Sequence, residues 1–196
     1  MAPKNLALTE GHLDSAKGFR FPALSGALTV ITTAQDVYGF RNASTTKPFV
    51  VSQIVMSWTT TTAFGAAQAC PWGLWKVAGF TAIHSGGTGI KTIAGHRKRV
   101  SSCDLLTDVT CRMAAAVLID TATYTAPDAD EPDYVLPTTM STTPVGSALW
   151  TPGEGCLPEV LDQDEGFIAR PLVTMGATGV GNLYISIEGH VREGLR

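Results

Sequence analysis

The chain has 196 residues, 44% of them hydrophobic and 16% charged, which leaves much of the surface uncharged and suited to protein contact, since soluble domains usually carry roughly 25% charge. A net charge of −3 gives no electrostatic pull toward nucleic acid, which is generally bound through a basic face. No apolar run approaches the roughly 18 residues of a membrane span, and a chain of this length buries roughly 70% of its unfolded surface in one domain, or in a domain with an arm.

The first segment mixes Leu6, Leu8 and Leu13 with Lys4, Glu10, Asp14 and Lys17 and shows neither a helical stripe nor strand alternation. Residues 1–22 are therefore expected to form an extended N-terminal arm, either a frayed terminus or a segment that orders on a neighbouring subunit. Residues 23–196 are expected to form the β domain. Strand-like runs follow at 27–33, 37–42 and 48–58, and Pro48 stands at a strand entry where its missing N–H does least harm. Residues 44–48 make the turn before it, and Asn42-Ala-Ser44, which matches a glycosylation sequon, belongs to that turn.

Thr59 to Thr62 is β-prone and leads into a loop or single helical turn at 63–71; strand character resumes at Trp72, with 74–80 the next run. The glycine-rich 84–89 is a loop, 90–94 a short strand, and 95–99 the one basic cluster. Alternation of Val109, Cys111, Met113, Ala115 and Val117 favours a strand over the helix that the alanines would also suit. Prolines and Asp128-Ala-Asp-Glu-Pro-Asp133 mark a surface excursion at about 126–146, after which strands are expected near 148–150 and 157–161.

Residues 167–175 and 183–188 read as two strands closed into a hairpin by Gly176, Gly179, Gly181 and Asn182, residues that tolerate positive φ. In the second strand Leu183, Ile185 and Ile187 alternate with Tyr184, Ser186 and Glu188. About eight to ten short strands with no long helix predict an all-β fold, an antiparallel β-sandwich or jelly-roll-like domain.

The chemistry is sparse. No G-x-S-x-G elbow occurs, and spacing alone does not decide a Ser/His/Asp triad, whose members come from distant segments. His12, His84, His96 and His190 lie far apart, without a metal-ligand spacing. Gly176-Ala-Thr-Gly-Val-Gly181 lacks the Gly-Lys-Ser/Thr ending of a phosphate loop and precedes a strand rather than a helix. Asp128 to Asp133 departs from the EF-hand pattern and reads as a solvated acidic loop. Asp162, Asp164 and Glu165 could be a carboxylate pair of the glycosidase kind, but they sit in a tight turn where polar residues are expected. His96-Arg-Lys-Arg99 is better suited to an acidic patch on a neighbouring copy than to nucleic acid. Cys70, Cys103, Cys111 and Cys156 are dispersed and read as small buried hydrophobes, with a disulfide as the alternative. No catalytic, cofactor or metal site is expected.

Two segments resemble structural proteins encoded in tailed-bacteriophage genomes near the capsid genes. The first begins Val37-Tyr-Gly-Phe-Arg-Asn42 and continues through the polar turn to Ile54; the second runs from Leu161-Asp-Gln-Asp-Glu-Gly-Phe-Ile-Ala-Arg-Pro171 through Gly179 to Ile187-Glu188. The resemblance covers about half of the chain. It implies a small virion β-sandwich, of the capsid cement or decoration type, that binds between major capsid protein subunits as a symmetric homo-oligomer such as a trimer and stabilises the head. It departs from those proteins in ending its last strand with Glu188-Gly-His190 rather than Glu-Trp, and in its long Pro/Asp loop. With no signal peptide recognised, the chain is expected to be made in the host cytoplasm and to act on the capsid exterior, since its net acidity disfavours packaged DNA. The alternative is a tail- or fibre-associated recognition module whose Trp72, Trp75 and Trp150 contact host glycans, unless those tryptophans are core.

Overall fold

The computed structural model describes residues 18–85, 90–93, 96–97, 108–114, 122–125, 131–140, 145–150 and 158–192. Its strands are β1 (Phe19–Leu24), β2 (Tyr38–Asn42), β3 (Phe49–Thr62), β4 (Gln68–Ala69), β5 (Trp72–Val77), β6 (Ile90–Ile93), β7 (His96–Arg97), β8 (Val109–Ala114), β9 (Tyr134–Leu136), β10 (Thr139–Met140), β11 (Val145–Trp150), β12 (Glu159–Leu161), β13 (Glu165–Pro171) and β14 (Val180–Val191), with no helix among the described residues. The first sheet is ordered β11-β3-β14-β1-β7, with β12 also on β3; the second is β6-β8-β2-β13-β5-β9; β4 and β10 form a small ribbon. Every pairing is antiparallel. The fold is thus all-β, two antiparallel sheets facing each other.

Alternation decides which side chains meet between the sheets. Phe19, Phe21 and Ala23 of β1, Tyr38 and Phe40 of β2, Trp72 and Leu74 of β5, Phe167 and Ala169 of β13, and Leu183, Ile185 and Ile187 of β14 all lie in one core. The longest strand, β3, needs a correction of parity to stay in it. Ile54, Met56 and Trp58 face the core at even positions, whereas Phe49 and Val51 face it at odd ones. The register shift between Glu188 and Gly189 opposite β3 supplies the missing step, as a bulge does.

The outer side of β14 is not simply wet. Arg20 of β1 reaches across it, its Nε 3.1 Å from Glu188 Oε1, and it donates to Ser186 Oγ (3.3 Å) and the Tyr184 hydroxyl (3.0 Å).

Several expectations are corrected here. The predicted hairpin at 167–188 does not form: β13 pairs with β2 and β5 in the second sheet, while β14 pairs with β1 and β3 in the first. The glycine-rich stretch is an arch that carries the chain across the sandwich. Gly179 and Gly181 serve close approach, not positive φ, which among described glycines occurs only at Gly79. A Cβ on Gly179 would lie 2.1 Å from the Phe64 ring, and one on Gly181 2.1 Å from the Trp58 ring. The expected bound of the arm at residue 22 is corrected: Phe19 to Pro22 belong to β1, between β14 and β7, because Phe19 and Phe21 fill the core. Residues 1–17 lie outside the described residues. Residues 27–33 are a crossing loop with one bridge, Leu28 to Gly181, rather than a strand. The stretch at 126–146 is not a mere excursion, since β9 pairs with β5, β10 pairs with β4, and Leu136 and Met140 are buried in the core; 126–130 and 141–144 lie outside the described residues. Residues 109–114 take the strand alternative.

Candidate functional site

The outer face of the second sheet carries a second, smaller core. Trp75, Val77, Phe80 and Ile168 pack there, with Ile83, Ala122, Tyr124 and Leu172 against them. Two chain segments lie on this face, 78–85 leaving β5 and 122–125 returning toward β9. They are tied to each other by the Ala82–Thr123 bridge and by the Thr125 N–H donating to the Ala78 carbonyl at 2.8 Å.

Glycines on the sheet make room for the rings of the first segment. A Cβ on Gly39 of β2 would sit 2.2 Å from His84 Nδ1, and one on Gly166 of β13 would sit 2.9 Å from the Phe80 ring. His84 and Phe80 meet edge to face with centroids 5.6 Å apart. The His84 ring thus occupies the space of an absent side chain, whereas at Gly166 a Cβ would first meet the backbone carbonyl of Phe40 and only then the Phe80 ring.

At the edge of this core four polar side chains converge from four distant segments. The Asp36 carboxylate lies 2.6 Å from His84 Nε2 and accepts from the Tyr124 hydroxyl at 2.7 Å. It also accepts from Arg170 Nε, while Arg170 Nη2 donates to the Tyr124 oxygen. The Arg170 guanidinium lies 6.0 Å from the Trp75 ring centroid and 5.9 Å from that of Tyr124, within cation–π range. Asp36 and His84 are buried, so the cluster satisfies charges that would otherwise be costly to desolvate.

The electrostatics follow from that arrangement. Burial alone would raise the Asp36 carboxyl, but hydrogen bonds from His84, Arg170 and Tyr124, with the Arg170 charge, outweigh it and hold the carboxyl below its ordinary value. Burial is also the largest influence on Tyr124, and with the neighbouring Asp36 it raises the phenol. For Arg170 burial works against the charge, and Asp36 more than restores it. Chemically this is a tie between segments. His84 is 1% exposed and its Nε2 is engaged by Asp36, so no base is presented to solvent.

The other sequence candidates do not assemble. His190 is on β14 in the first sheet, His96 is in β7 at that sheet's edge, and His12 lies outside the described residues. Asp164 is held by Arg41 Nη2 at 2.5 Å in the turn before β13, where its φ is 59°. Glu165 accepts the Asp162 N–H at 2.9 Å and lies 3.6 Å from Lys76 Nζ. These carboxylates close a turn. Asp133 accepts the Lys76 N–H at 2.5 Å, while Asp128 and Asp130 are outside the described residues. Among the described residues no three His, Cys, Asp or Glu side chains are placed to hold a metal ion.

Asn42 of the sequon is buried, its amide donating to the carbonyls of Leu161 (2.9 Å) and Lys47 (3.1 Å), as its place in the turn requires. Trp72 packs against Trp58 with centroids 5.4 Å apart, and Trp75 is buried in the outer core, so neither offers a face to a glycan. Cys70 and Cys111 are free and buried, and burial pushes their thiols up to about 11 and about 12; Cys103 and Cys156 are outside the described residues.

Sequence reasoning singled out His84 as a loop histidine and missed Asp36, Tyr124 and Arg170. The one available signal was an arginine inside the otherwise apolar run 167–175, since a charge there must find a partner. Neither a scan against models of protein families nor a search of curated proteins finds a match to this chain.

Proposed function

We propose that this protein is a non-enzymatic structural component of a bacteriophage virion, a cement or decoration protein that binds between major capsid protein subunits on the capsid exterior and stabilises the head. The observation that carries this reading is the strand order. Eight strands, β1, β2, β3, β5, β9, β11, β13 and β14, fall into the orders β1-β14-β3-β11 and β2-β13-β5-β9, orders that suit a jelly roll, an architecture recurrent in viral shell proteins. In that reading β6 to β8 are an insertion between the fourth and fifth strands.

The resemblance to phage structural proteins supports the same conclusion, because its two segments coincide with β2 to β3 and β13 to β14, strands inside the two sheets. The polar cluster is compatible with it, since the Asp36 carboxylate, His84 Nε2, the Tyr124 hydroxyl and Arg170 hold one another in place. Fold likeness alone does not specify a task, so the proposal includes the contacts: a homo-oligomer such as a trimer, with the N-terminal residues and loops reaching neighbouring subunits.

Shells prepared without this protein test the reading. The full chain is expected to bind them at regular positions seen by electron microscopy and to raise the temperature at which they open. A chain lacking Met1 to Lys17 is expected to keep its fold and bind less. Failure of the full chain to bind any shell of its own phage would reject the cement role, and equal binding by the truncated chain would reject the arm.

A further inference from the structure

Beside His84, the outer face of the second sheet holds three hydrogen-bonding atoms that the polar cluster does not use. Arg112 of β8 stands opposite Gly39, the residue on which the His84 ring rests, and Thr110 stands opposite Arg41. Arg112 Nε, Thr110 Oγ1 and His84 Nδ1 are all buried, and none has a hydrogen-bond partner among the described residues. Buried polar groups are rarely left so. Three on one patch of sheet call for a common explanation.

Their chemistry is complementary in a specific way. Nε of an arginine can only donate, and a threonine hydroxyl can donate. His84 is different: its Nε2 faces Asp36, and an ionised carboxylate only accepts, so in the neutral ring the hydrogen is assigned to Nε2 and Nδ1 is a bare acceptor. The patch therefore offers two donors and one acceptor. Asp36 faces Arg170 and Asp164 faces Arg41, whereas none of the ion pairs among the described residues includes Arg112.

We infer that Arg112, Thr110 and His84 form a binding site for a small oxyanion that keeps a hydroxyl at neutral pH, of the hydrogen-phosphate or bicarbonate type. One anionic oxygen accepts from Arg112 Nε and the Thr110 hydroxyl, and the anion's own O–H donates to His84 Nδ1. A fully deprotonated anion such as sulfate has no hydrogen for Nδ1 and sets lone pair against lone pair. A water molecule can meet the hydrogen-bonding demand but carries no charge to pair with the Arg112 guanidinium. The site is independent of the proposed capsid role.

Thermal unfolding of the full chain, wild type against Arg112→Gln, in phosphate, bicarbonate, sulfate and chloride at matched ionic strength and neutral pH, tests this. Sulfate stabilises proteins generally by exclusion, so the readout is the difference between the two proteins in each salt. In phosphate or bicarbonate the wild type is expected to gain roughly 5 to 10 °C over the variant's gain at about 100 times the dissociation constant; in sulfate and chloride the two should shift alike. Thr110→Val, nearly isosteric, is expected to weaken the effect, and Arg20→Gln on the other sheet to retain it. Should Arg112→Gln not fold, Thr110→Val and calorimetric titration of wild type with phosphate carry the test. Equal gains in sulfate, gains that survive Arg112→Gln or Thr110→Val, or no anion-specific gain at all would overturn the site and leave an ordered water as its occupant.

Discussion

The protein buries apolar side chains in two places, and the two are held by different means. Between the sheets, Phe21, Phe40 and Phe49 pack ring on ring at 5.0 to 6.0 Å and Trp58 meets Trp72, with strand alternation supplying their direction. On the outer face of the second sheet, only a few apolar residues meet, beneath two short segments. Apolar burial is non-directional, so this smaller contact does not by itself fix where the segments sit. The Asp36 cluster does so, because hydrogen bonds between charged groups are directional and strong when shielded from water. Dispersion and burial hold sheets together; a polar cluster seats a segment.

That contrast can be broken from either side. Trp58→Ala, in the core between the sheets, is expected to cost about 4 kcal/mol and to lower the protection of amides throughout both sheets, as measured by urea unfolding and hydrogen exchange. Asp36→Ala is expected to cost about 3 kcal/mol by leaving Arg170 and His84 without their acceptor, with exchange rising mainly at 78–85 and 122–125. If Asp36→Ala loosened both sheets equally, the two cores would be a single cooperative unit.

The same carboxylate predicts a pH dependence. Folding favours the ionised form of Asp36, whose carboxyl is held below its ordinary value. Its stabilisation is therefore complete above the unfolded value of about 3.9 and is lost as pH falls from there through the lower folded value. Asp36→Asn should show a smaller fall in unfolding midpoint than the wild type between about pH 5 and pH 3; parallel curves would mean that folding does not favour the ionised carboxylate. The smallest effect is expected at Gly39→Ala, about 2 kcal/mol or less, because the atoms nearest its new methyl belong to the His84 side chain rather than to backbone. Exchange should rise at 78–85 and leave β2 paired, and loss of the β2 ladder instead would show that the glycine serves the strand.

Much of the secondary structure was readable from residues alone. Alternation in Leu183 to Glu188, the proline at the entry to β3 and the turn at Asn42 to Pro48 are local signals, and each appears in the fold as a strand or a turn. The boundary of the arm misled because Phe19 and Phe21 carry their reason for order in a sheet partner, β14, more than 150 residues away. His84 was visible as a histidine, but its partners come from positions 36, 124 and 170, which no spacing rule connects.

The glycine-rich stretch between β13 and β14 shows where the division falls. Composition established that two strands flank a glycine-rich connection, because β-branched and aromatic residues suit a pleated surface and glycines are conformationally permissive. A hairpin and an arch between sheets have the same local pattern, since alternation fixes which faces are apolar but not which strand lies alongside. Only the tertiary structure placed β13 beside β2 and β5 and β14 beside β1 and β3, because both strands bury their apolar faces by looking at each other across the core.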